Sequence, residues 1–402
     1  MNIRIFSSAP CGQIAAPPSK SDVHRLLLCA GLAKGKSVIE NVQLSDDIKA
    51  TLNCLEAMGA KWQKAGNTVI VEGTDVCSIS EKKELFCNEC GTTIRFFIPL
   101  CLLSNNEFTI FGSERLLKRP LTVYEDICKE QNICFENDGE KIKLKGKLSP
   151  GEYKIKGNIS SQFISGLLFA LPLLNGDSVI KIIPPFESKP YVKMTLSALS
   201  RSGIEINQKD EFAFEIKGNQ TYKPINCKAE GDWSNAAFLY ALKAMGNDLQ
   251  INGLNDDSLQ GDKICVSHFE KLKNGYAEID LSDSPDLAPI LFAFAGMNKG
   301  AKFTGVSRLR IKESNRISKT AEELSKFGIK LDEYDDYVIV EGGTLHPPKE
   351  SLNGQNDHRI VMTEAVLLTK FGGVIEGAEA VKKSYPDFFE DLQKIGVNAL
   401  FN

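Results

Sequence analysis

The stretch Thr51-Leu-Asn-Cys-Leu-Glu-Ala-Met-Gly59, followed by Thr68-Val-Ile-Val-Glu72, decides the fold, because its pattern returns along the whole chain. Apolar residues at helical spacing end in a small turn residue, and a short alternating strand follows. The same reading applies to residues 122–132 with Lys141–Lys145, and to 195–203 with 212–217. It applies again to 267–275, to 320–328 with Tyr337–Glu341, and to 388–396. Between Gly59, Asn132, Gly203, Gly275, Gly328 and Gly396 the steps are 73, 71, 72, 53 and 68 residues. A fixed period of this kind marks a repeat architecture.

A second marker keeps the same period. Polar motifs open apolar helical runs at Ser19-Lys20-Ser21, Gly91-Thr92-Thr93, Ser160-Ser161-Gln162, Asp232-Trp233-Ser234, Ser284-Pro285-Asp286 and Asp357-His358-Arg359. From Lys20, Thr92, Ser161, Trp233, Asp286 and His358 the steps are 72, 69, 72, 53 and 72. Both markers shorten at the same step. The chain therefore reads as six units of helix, strand, helix, strand, strand, with the fourth lacking its terminal hairpin. Polar N-caps open the first helix of a unit, and glycine often closes the second.

Three units per lobe predict two α/β lobes, with helices wrapped by sheets. Residues 19–230 form one lobe. Residues 231–402 form the other, closed by the N-terminal strand within 1–18. The chain crosses between them near 15–18 and 227–232, and the active site is expected in the cleft between them. Anions bridging the lobes are expected to draw them together.

Composition excludes several classes. Apolar residues make up 42% and charged residues 25%, values of an ordinary globular protein. The 48 Lys and Arg against 52 Asp and Glu give a net charge of −4, the wrong sign for a general nucleic-acid or anionic-membrane binder. The longest apolar stretch, 163–174, is shorter than the roughly 20 residues of a membrane span and contains Ser165. Residues 1–8 lack the apolar region of a secretion signal. A cytoplasmic protein is expected. The 11 cysteines then read as reduced thiols, and Cys87–Cys90, without a second pair, as neither a zinc site nor a redox pair.

Charge placement points to a ligand. Helix N-termini disfavour cations, yet Lys20, Arg25, Arg95, His358 and Arg359 cluster at helix starts. The loops before second helices add Lys118-Arg119, Lys189, Arg308, Arg310, Lys312, Arg316, Lys382 and Lys383. Two cations about 5 Å apart repel by roughly 3 kcal/mol at an effective dielectric of 20. Convergence of several predicts a small, multiply charged anion. Among the carboxylates, Asp286 near a helix start and Glu313 among Arg310, Lys312 and Arg316 should be ionised. Glu313 also suits an ordinary i,i+3 ion pair with Arg316. Asp47 reads as a plain N-cap.

These segments resemble the 3-phosphoshikimate 1-carboxyvinyltransferase (5-enolpyruvylshikimate-3-phosphate synthase) family. The resemblance rests on Pro17-Pro-Ser-Lys20-Ser-Asp-Val-His-Arg25, Gly91-Thr-Thr-Ile-Arg95, Lys118-Arg-Pro120, Ser160-Ser-Gln162, Ser188-Lys-Pro-Tyr191, Glu230-Gly-Asp232, Pro285-Asp286, Arg310-Ile-Lys-Glu-Ser-Asn-Arg316, Asp357-His-Arg359 and Lys383-Ser-Tyr-Pro-Asp387, in order. It implies the enolpyruvyl transferase fold, an inside-out α/β barrel in each lobe. It also implies transfer of the enolpyruvyl group of phosphoenolpyruvate to the 5-hydroxyl of shikimate 3-phosphate, through a tetrahedral intermediate that loses phosphate. By resemblance Lys20, Ser21, Arg25, Ser160, Ser161, Gln162, Ser188, Tyr191, Asp286 and Lys312 bind shikimate 3-phosphate. Lys20, Gly91, Thr92, Arg119, Gln162, Arg316, Arg359 and Lys383 hold phosphoenolpyruvate. Lys20, Asp286, Glu313, Lys312 and His358 handle protons. The resemblance implies no cofactor and no metal, and the partners are small molecules, with no nucleic acid or membrane, acting on a monomer.

The chain departs from the family where much of it reads Asn-Ala-Gly-Thr and this sequence has Glu89-Cys90-Gly91-Thr92. Phe96 and Arg308 are further departures expected around the phosphoenolpyruvate pocket. The nearest rival is the sister transferase acting on UDP-N-acetylglucosamine. Ser160-Ser161-Gln162 and Ser188-Lys189-Pro190-Tyr191 suit a phosphorylated cyclohexene better than a nucleotide sugar. A non-catalytic repeat scaffold would need no converging Lys, Glu and Asp.

Overall fold

Glycine and asparagine punctuate the chain where its second helices stop. Gly59, Gly203, Gly328 and Gly396 have φ between 77° and 107°, and Asn132 has φ 56°. These are the left-handed C-terminal positions that side chains with a Cβ resist. The repeat markers in the sequence are therefore helix stops. The computed structural model describes residues 1–401 and divides into two compact units. One is Lys20–Ala229, and the other joins Met1–Ser19 to Glu230–Asn402.

Within Lys20–Ala229 one sheet plan occurs three times. Lys83–Phe86 runs parallel to Glu107–Phe111, which pairs antiparallel with Lys141–Lys145, itself antiparallel to Cys134–Asn137. Glu152–Lys156, Ser178–Ile183, Ala213–Ile216 and Ile206–Asp210 repeat the plan. Asn226–Lys228, Lys36–Glu40, Thr68–Glu72 and Lys61–Ala65 repeat it again. In the other unit the plan recurs with Ala277–Asp280, Gly300–Thr304, Tyr337–Glu341 and Leu331–Glu333. It recurs once more with Leu352–Asn353, Gly373–Glu376, Asn2–Ile5 and Ala399–Phe401. The remaining sheet holds only Leu249–Asn252 and Gly12–Ala15, in parallel. It belongs to the short repeat, which has no hairpin.

Helix composition sorts core from cover. In Lys20–Leu32, Gly91–Cys101 and Ser161–Ala170 nearly every residue is buried. A helix apolar all round belongs inside. Trp233–Ala244, Ala288–Gly296 and His358–Phe371 play that part in the other unit. The second helices, such as Asp46–Ala57 and Arg316–Ser325, bury one face only. Strands alternate, as in Lys141–Lys145, where Ile142 and Leu144 are buried between lysines. The buried first helices thus present their N-termini, where the notable cations stand, at ends of the core. No helix of the described residues is long and apolar enough to cross a membrane. All 11 cysteines are unpaired.

Candidate active site

In the unit Lys20–Ala229, three buried helices begin with the residues singled out in the sequence. Lys20 opens the first helix, and its Nζ lies 2.8 Å from Asp47 Oδ2. Asp47 is not the N-cap expected. Ser45 takes that role, its Oγ accepting from Ile48 N at 3.3 Å, and Asp47 in the first turn turns to the lysine instead. A carboxylate there offsets the repulsion between an ammonium and a helix N-terminus.

Arg25 is buried one turn further on. Its Nε donates to Thr195 Oγ1 at 2.9 Å, Nη1 to Ser21 O at 2.7 Å and Nη2 to Tyr191 O at 3.0 Å. Its guanidinium lies over the rings of Phe96 and Tyr191, 5.5 and 5.9 Å from their centres. Burial pulls its pKa down to about 10, with Tyr191 and Asp22 opposing. Phe96 is fully buried and supports Arg25 from the core.

Gln162 ties two helix starts together. Its Oε1 accepts from Arg95 Nη1 at 2.8 Å, and its Nε2 donates to Thr92 Oγ1 at 2.8 Å. Ser160 caps its helix, accepting from Gln162 N at 3.3 Å, and Ser161 is buried beside it. Ser188 precedes the helix Lys189–Arg201 with φ 55°. At Gly91 a Cβ would meet Arg119 Nη1 at 2.8 Å and Arg95 Nη1 at 3.0 Å, so glycine lets two guanidiniums cover this helix start.

The other unit gathers a denser charge cluster. Arg316 is 1% exposed and engages three carboxylates. Nη1 donates to Asp286 Oδ1 at 2.9 Å, Nη2 to Glu313 Oε2 at 2.6 Å, and Nε to Asp357 Oδ2 at 3.0 Å. Arg359 Nη2 donates to Asp286 Oδ2 at 2.9 Å, and Lys312 Nζ lies 3.7 Å from Asp286 Oδ1. Asp357 is both the N-cap of His358–Phe371, accepting from Arg359 N at 3.0 Å, and the acceptor for Ser314 Oγ at 3.0 Å.

Burial alone would raise the Asp286 carboxyl. Arg359, Lys312 and Arg316 overcome it and hold the group well below the usual carboxylate range. Burial likewise opposes the charge on Arg316, yet Asp357, Glu313 and Asp286 raise its pKa. At Lys312 burial wins, pulling the ammonium down to about 8 against the attraction of Asp286.

The structure thus brings Asp286, Lys312, Glu313, Arg316 and Arg359 into one cluster. Lys383 turns instead to Asn356, with 2.7 Å to both its O and Oδ1, and His358 is buried in the first turn of its helix. Arg310 points away, to Glu333 and the carbonyls of Tyr334 and Asp335. Arg308 donates to Ser282 O at 2.6 Å. Sequence reasoning did not select Asp47, Arg95 or Asp357 as site residues. Arg95 carried a signal in its place after Gly91-Thr92; Asp47 and Asp357 looked like caps.

Comparison with known proteins places the fold in a class. The EPSP synthase of Acinetobacter baumannii shares the fold at a TM-score of 0.78 and 20% identity, covering 99% of both chains. The enolpyruvyl transferase NikO of Streptomyces tendae superposes at a TM-score of 0.80 and 15% identity, covering 99% of this chain and 98% of its own. The fold is that of the two-lobed enolpyruvyl transferases. Within that class, the family model for EPSP synthase (3-phosphoshikimate 1-carboxyvinyltransferase) matches residues 7–392, and the chain belongs to this family. A protein of Clostridium kluyveri named 3-phosphoshikimate 1-carboxyvinyltransferase is 41% identical, covering 96% of this chain and 95% of its own. One of Clostridium perfringens with the same name is 39% identical, covering 96% of each.

Proposed function

We infer that the chain is a 3-phosphoshikimate 1-carboxyvinyltransferase and that its two charge clusters divide the work of one reaction. The enolpyruvyl group of phosphoenolpyruvate moves to the 5-hydroxyl of shikimate 3-phosphate. In the addition, the hydroxyl oxygen bonds to C2, the hydroxyl gives up its proton, and C3 gains one. In the elimination, C3 returns a proton, the bond from C2 to the phosphate oxygen breaks, and the enol ether and phosphate leave.

The observation that carries the division is the cluster around Asp286. Three cations meet three carboxylates there, so the cluster balances its own charges. An incoming dianion competes with Asp286 and Glu313 for Arg316, Arg359 and Lys312. As those cations turn to the ligand, the carboxylates lose the partners that hold them ionised, and their proton affinity rises. Substrate arrival thereby converts Asp286 into a usable base for the 5-hydroxyl and Glu313 into a group able to carry a proton to C3. Lys312, near pKa 8, needs little retuning to exchange a proton at neutral pH. His358 stands beside Arg359 in the first turn of the same helix.

The other cluster binds. Ser160, Ser161, Gln162, Ser188, Tyr191, Ser21 and Arg25 receive shikimate 3-phosphate. Lys20, Gly91, Thr92 and Arg119 meet phosphoenolpyruvate, with Arg359 of the second cluster and with Lys383, which stands outside it on Asn356. The proposed working form is a cytoplasmic monomer, for which sedimentation should give a mass independent of concentration.

The test is release of inorganic phosphate from phosphoenolpyruvate with alternative acceptors. Shikimate 3-phosphate should support release and UDP-N-acetylglucosamine should not. Release with the nucleotide sugar alone would overturn the reading.

A further inference from the structure

Beside Lys20, proposed above to meet phosphoenolpyruvate, its partner Asp47 forms a trio with two side chains that have no part in the proposed reaction, His24 and Cys90. His24 Nε2 is 3.9 Å from Cys90 Sγ, and an oxygen of Asp47 lies within 4.8 Å of both ligand atoms. All three residues are buried. The spacing of Cys87 and Cys90 does not make them partners: Cys87 Sγ sits 3.9 Å from Cys54 Sγ, while Cys90 caps the helix Gly91–Cys101, accepting from Thr93 N at 3.4 Å, with its Sγ 3.9 Å from His24 Nε2.

We propose that His24 Nε2, Cys90 Sγ and Asp47 form a binding site for a single thiophilic divalent cation such as Zn2+, which inhibits the enzyme by taking Asp47 from Lys20. Zinc bonds of about 2.0–2.3 Å at tetrahedral angles set neighbouring ligand atoms roughly 3.3–3.7 Å apart. The observed separations need only small rotations to reach that range. A thiol, an imidazole and a carboxylate select a borderline or soft cation over magnesium or calcium.

The surroundings prepare the histidine. His24 Nδ1 lies 2.8 Å from Thr51 Oγ1, which lies 2.7 Å from Thr93 Oγ1. A proton on Nδ1 donated to Thr51 leaves the Nε2 lone pair facing Cys90, the arrangement usual for metal-bound histidine. Burial, with help from Lys20 and Arg25, holds the imidazole well below its ordinary pKa, so it is neutral and able to ligate. Burial pushes the Cys90 thiol up to about 12, so without an ion it keeps its proton. Binding breaks the S–H bond, forms an S–metal bond and sends one proton to solvent. Thiolate, carboxylate and a 2+ ion sum to zero charge, which a buried site tolerates. Lys20 loses the Asp47 carboxylate, and its ammonium faces a cation there instead.

The site stands on geometry. The inhibition rests on the role proposed above for Lys20, and the experiment separates the two. Cobalt(II) is the probe, because a thiolate ligand gives it a charge-transfer absorption. The protein carries Cys11→Ser, Cys77→Ser and Cys134→Ser to remove the exposed thiols. One equivalent of Co2+ should give the band, release about one proton per ion, and be displaced by Zn2+. Cys87→Ser should retain the band. Cys90→Ser should abolish it, and His24→Asn should weaken binding by at least about 10-fold. No band in the parent, or an undiminished band in Cys90→Ser, would overturn the site. Zn2+ should also depress turnover, reversibly by chelator. Full turnover with the site occupied would refute the inhibition and Lys20's role while leaving the site.

Discussion

The two charge clusters solve opposite problems. In Lys20–Ala229, Arg25 makes all its hydrogen bonds to neutral oxygens, two carbonyls and a hydroxyl. In the other unit, Arg316 gives its hydrogen bonds to the carboxylates of Asp286, Glu313 and Asp357. An anion meeting Arg25 displaces dipoles and finds a charge ready for it, although Lys20 in the same unit is paired with Asp47. An anion meeting the second cluster must compete with fixed carboxylates, and in doing so changes what those carboxylates can do. One cluster is built to hold, the other to respond. Substitutions in the two should therefore separate binding from turnover.

The largest effect is expected at Asp286. Asp286→Asn should lower kcat by about 10²–10⁴-fold, the range for a positioned acid–base group, while calorimetry shows shikimate 3-phosphate still bound. A loss of binding equal to the loss of turnover would erase the division. On the other side, Gly91→Ala puts a Cβ 2.8 Å from Arg119 Nη1 and displaces it. Steady-state kinetics should show KM for phosphoenolpyruvate raised by about 10-fold, the cost of one weakened charge-assisted hydrogen bond, with kcat changed less.

Lys312 sharpens the comparison through pH. With its pKa near 8, the ammonium loses its proton as pH rises through that value, and its attraction for the substrates goes with it. The kcat/KM profile for phosphoenolpyruvate should fall above about pH 8. Lys312→Arg, which keeps its charge, should move that limb upward. An unmoved limb would assign it to another group.

The smallest effect concerns stability alone. Glu364 is 1% exposed in a core helix, and neither oxygen has a hydrogen-bond partner among the described residues. Burial, with Glu323 adding to it and Lys326 opposing, keeps its proton on well above the usual pKa. An unfolded glutamate ionises near about 4.3. The contribution of Glu364 is thus complete below that value and is lost as pH rises toward the folded pKa, at no more than about 1.4 kcal/mol per pH unit. Glu364→Gln should flatten this loss, so its gain in denaturant midpoint over the parent should be larger at pH 8 than at pH 5. An equal gain at both would contradict a protonated Glu364.

How much of this was legible in the sequence depended on distance along the chain. Helix stops and caps are local, so Gly59, Gly203 and Asp357 announce the repeat, and the 53-residue step from Gly275 to Gly328 its short fourth copy. The cations at helix starts were visible because they defy the dipole. What they pair with was not. Ser45, Asp46 and Asp47 are all cap-forming types, and only helix packing decides that Asp47 meets Lys20, 27 residues away. Glu313 was readable both as a surface pair and as a proton carrier, because i,i+3 spacing shows the contact with Arg316 but not its burial. Asp286 and Asp357 reach Arg316 from 30 and 41 residues away. His24 and Cys90 lie 66 residues apart, so nothing in the local Cys87–Cys90 spacing could show their contact.

The central claim, that the carboxylates of the Arg316 cluster move protons once its cations turn to substrate, meets its most direct test at Glu313. Glu313→Gln is incubated in deuterium oxide with phosphoenolpyruvate and shikimate 3-phosphate, and deuterium entering the C3 methylene is followed by NMR. Exchange and turnover should both slow by about 10²-fold or more, with shikimate 3-phosphate affinity kept within a few-fold. Exchange at the parent rate would contradict the account, reducing Glu313 to an ion-pair partner of Arg316 and leaving Lys20 as the proton donor.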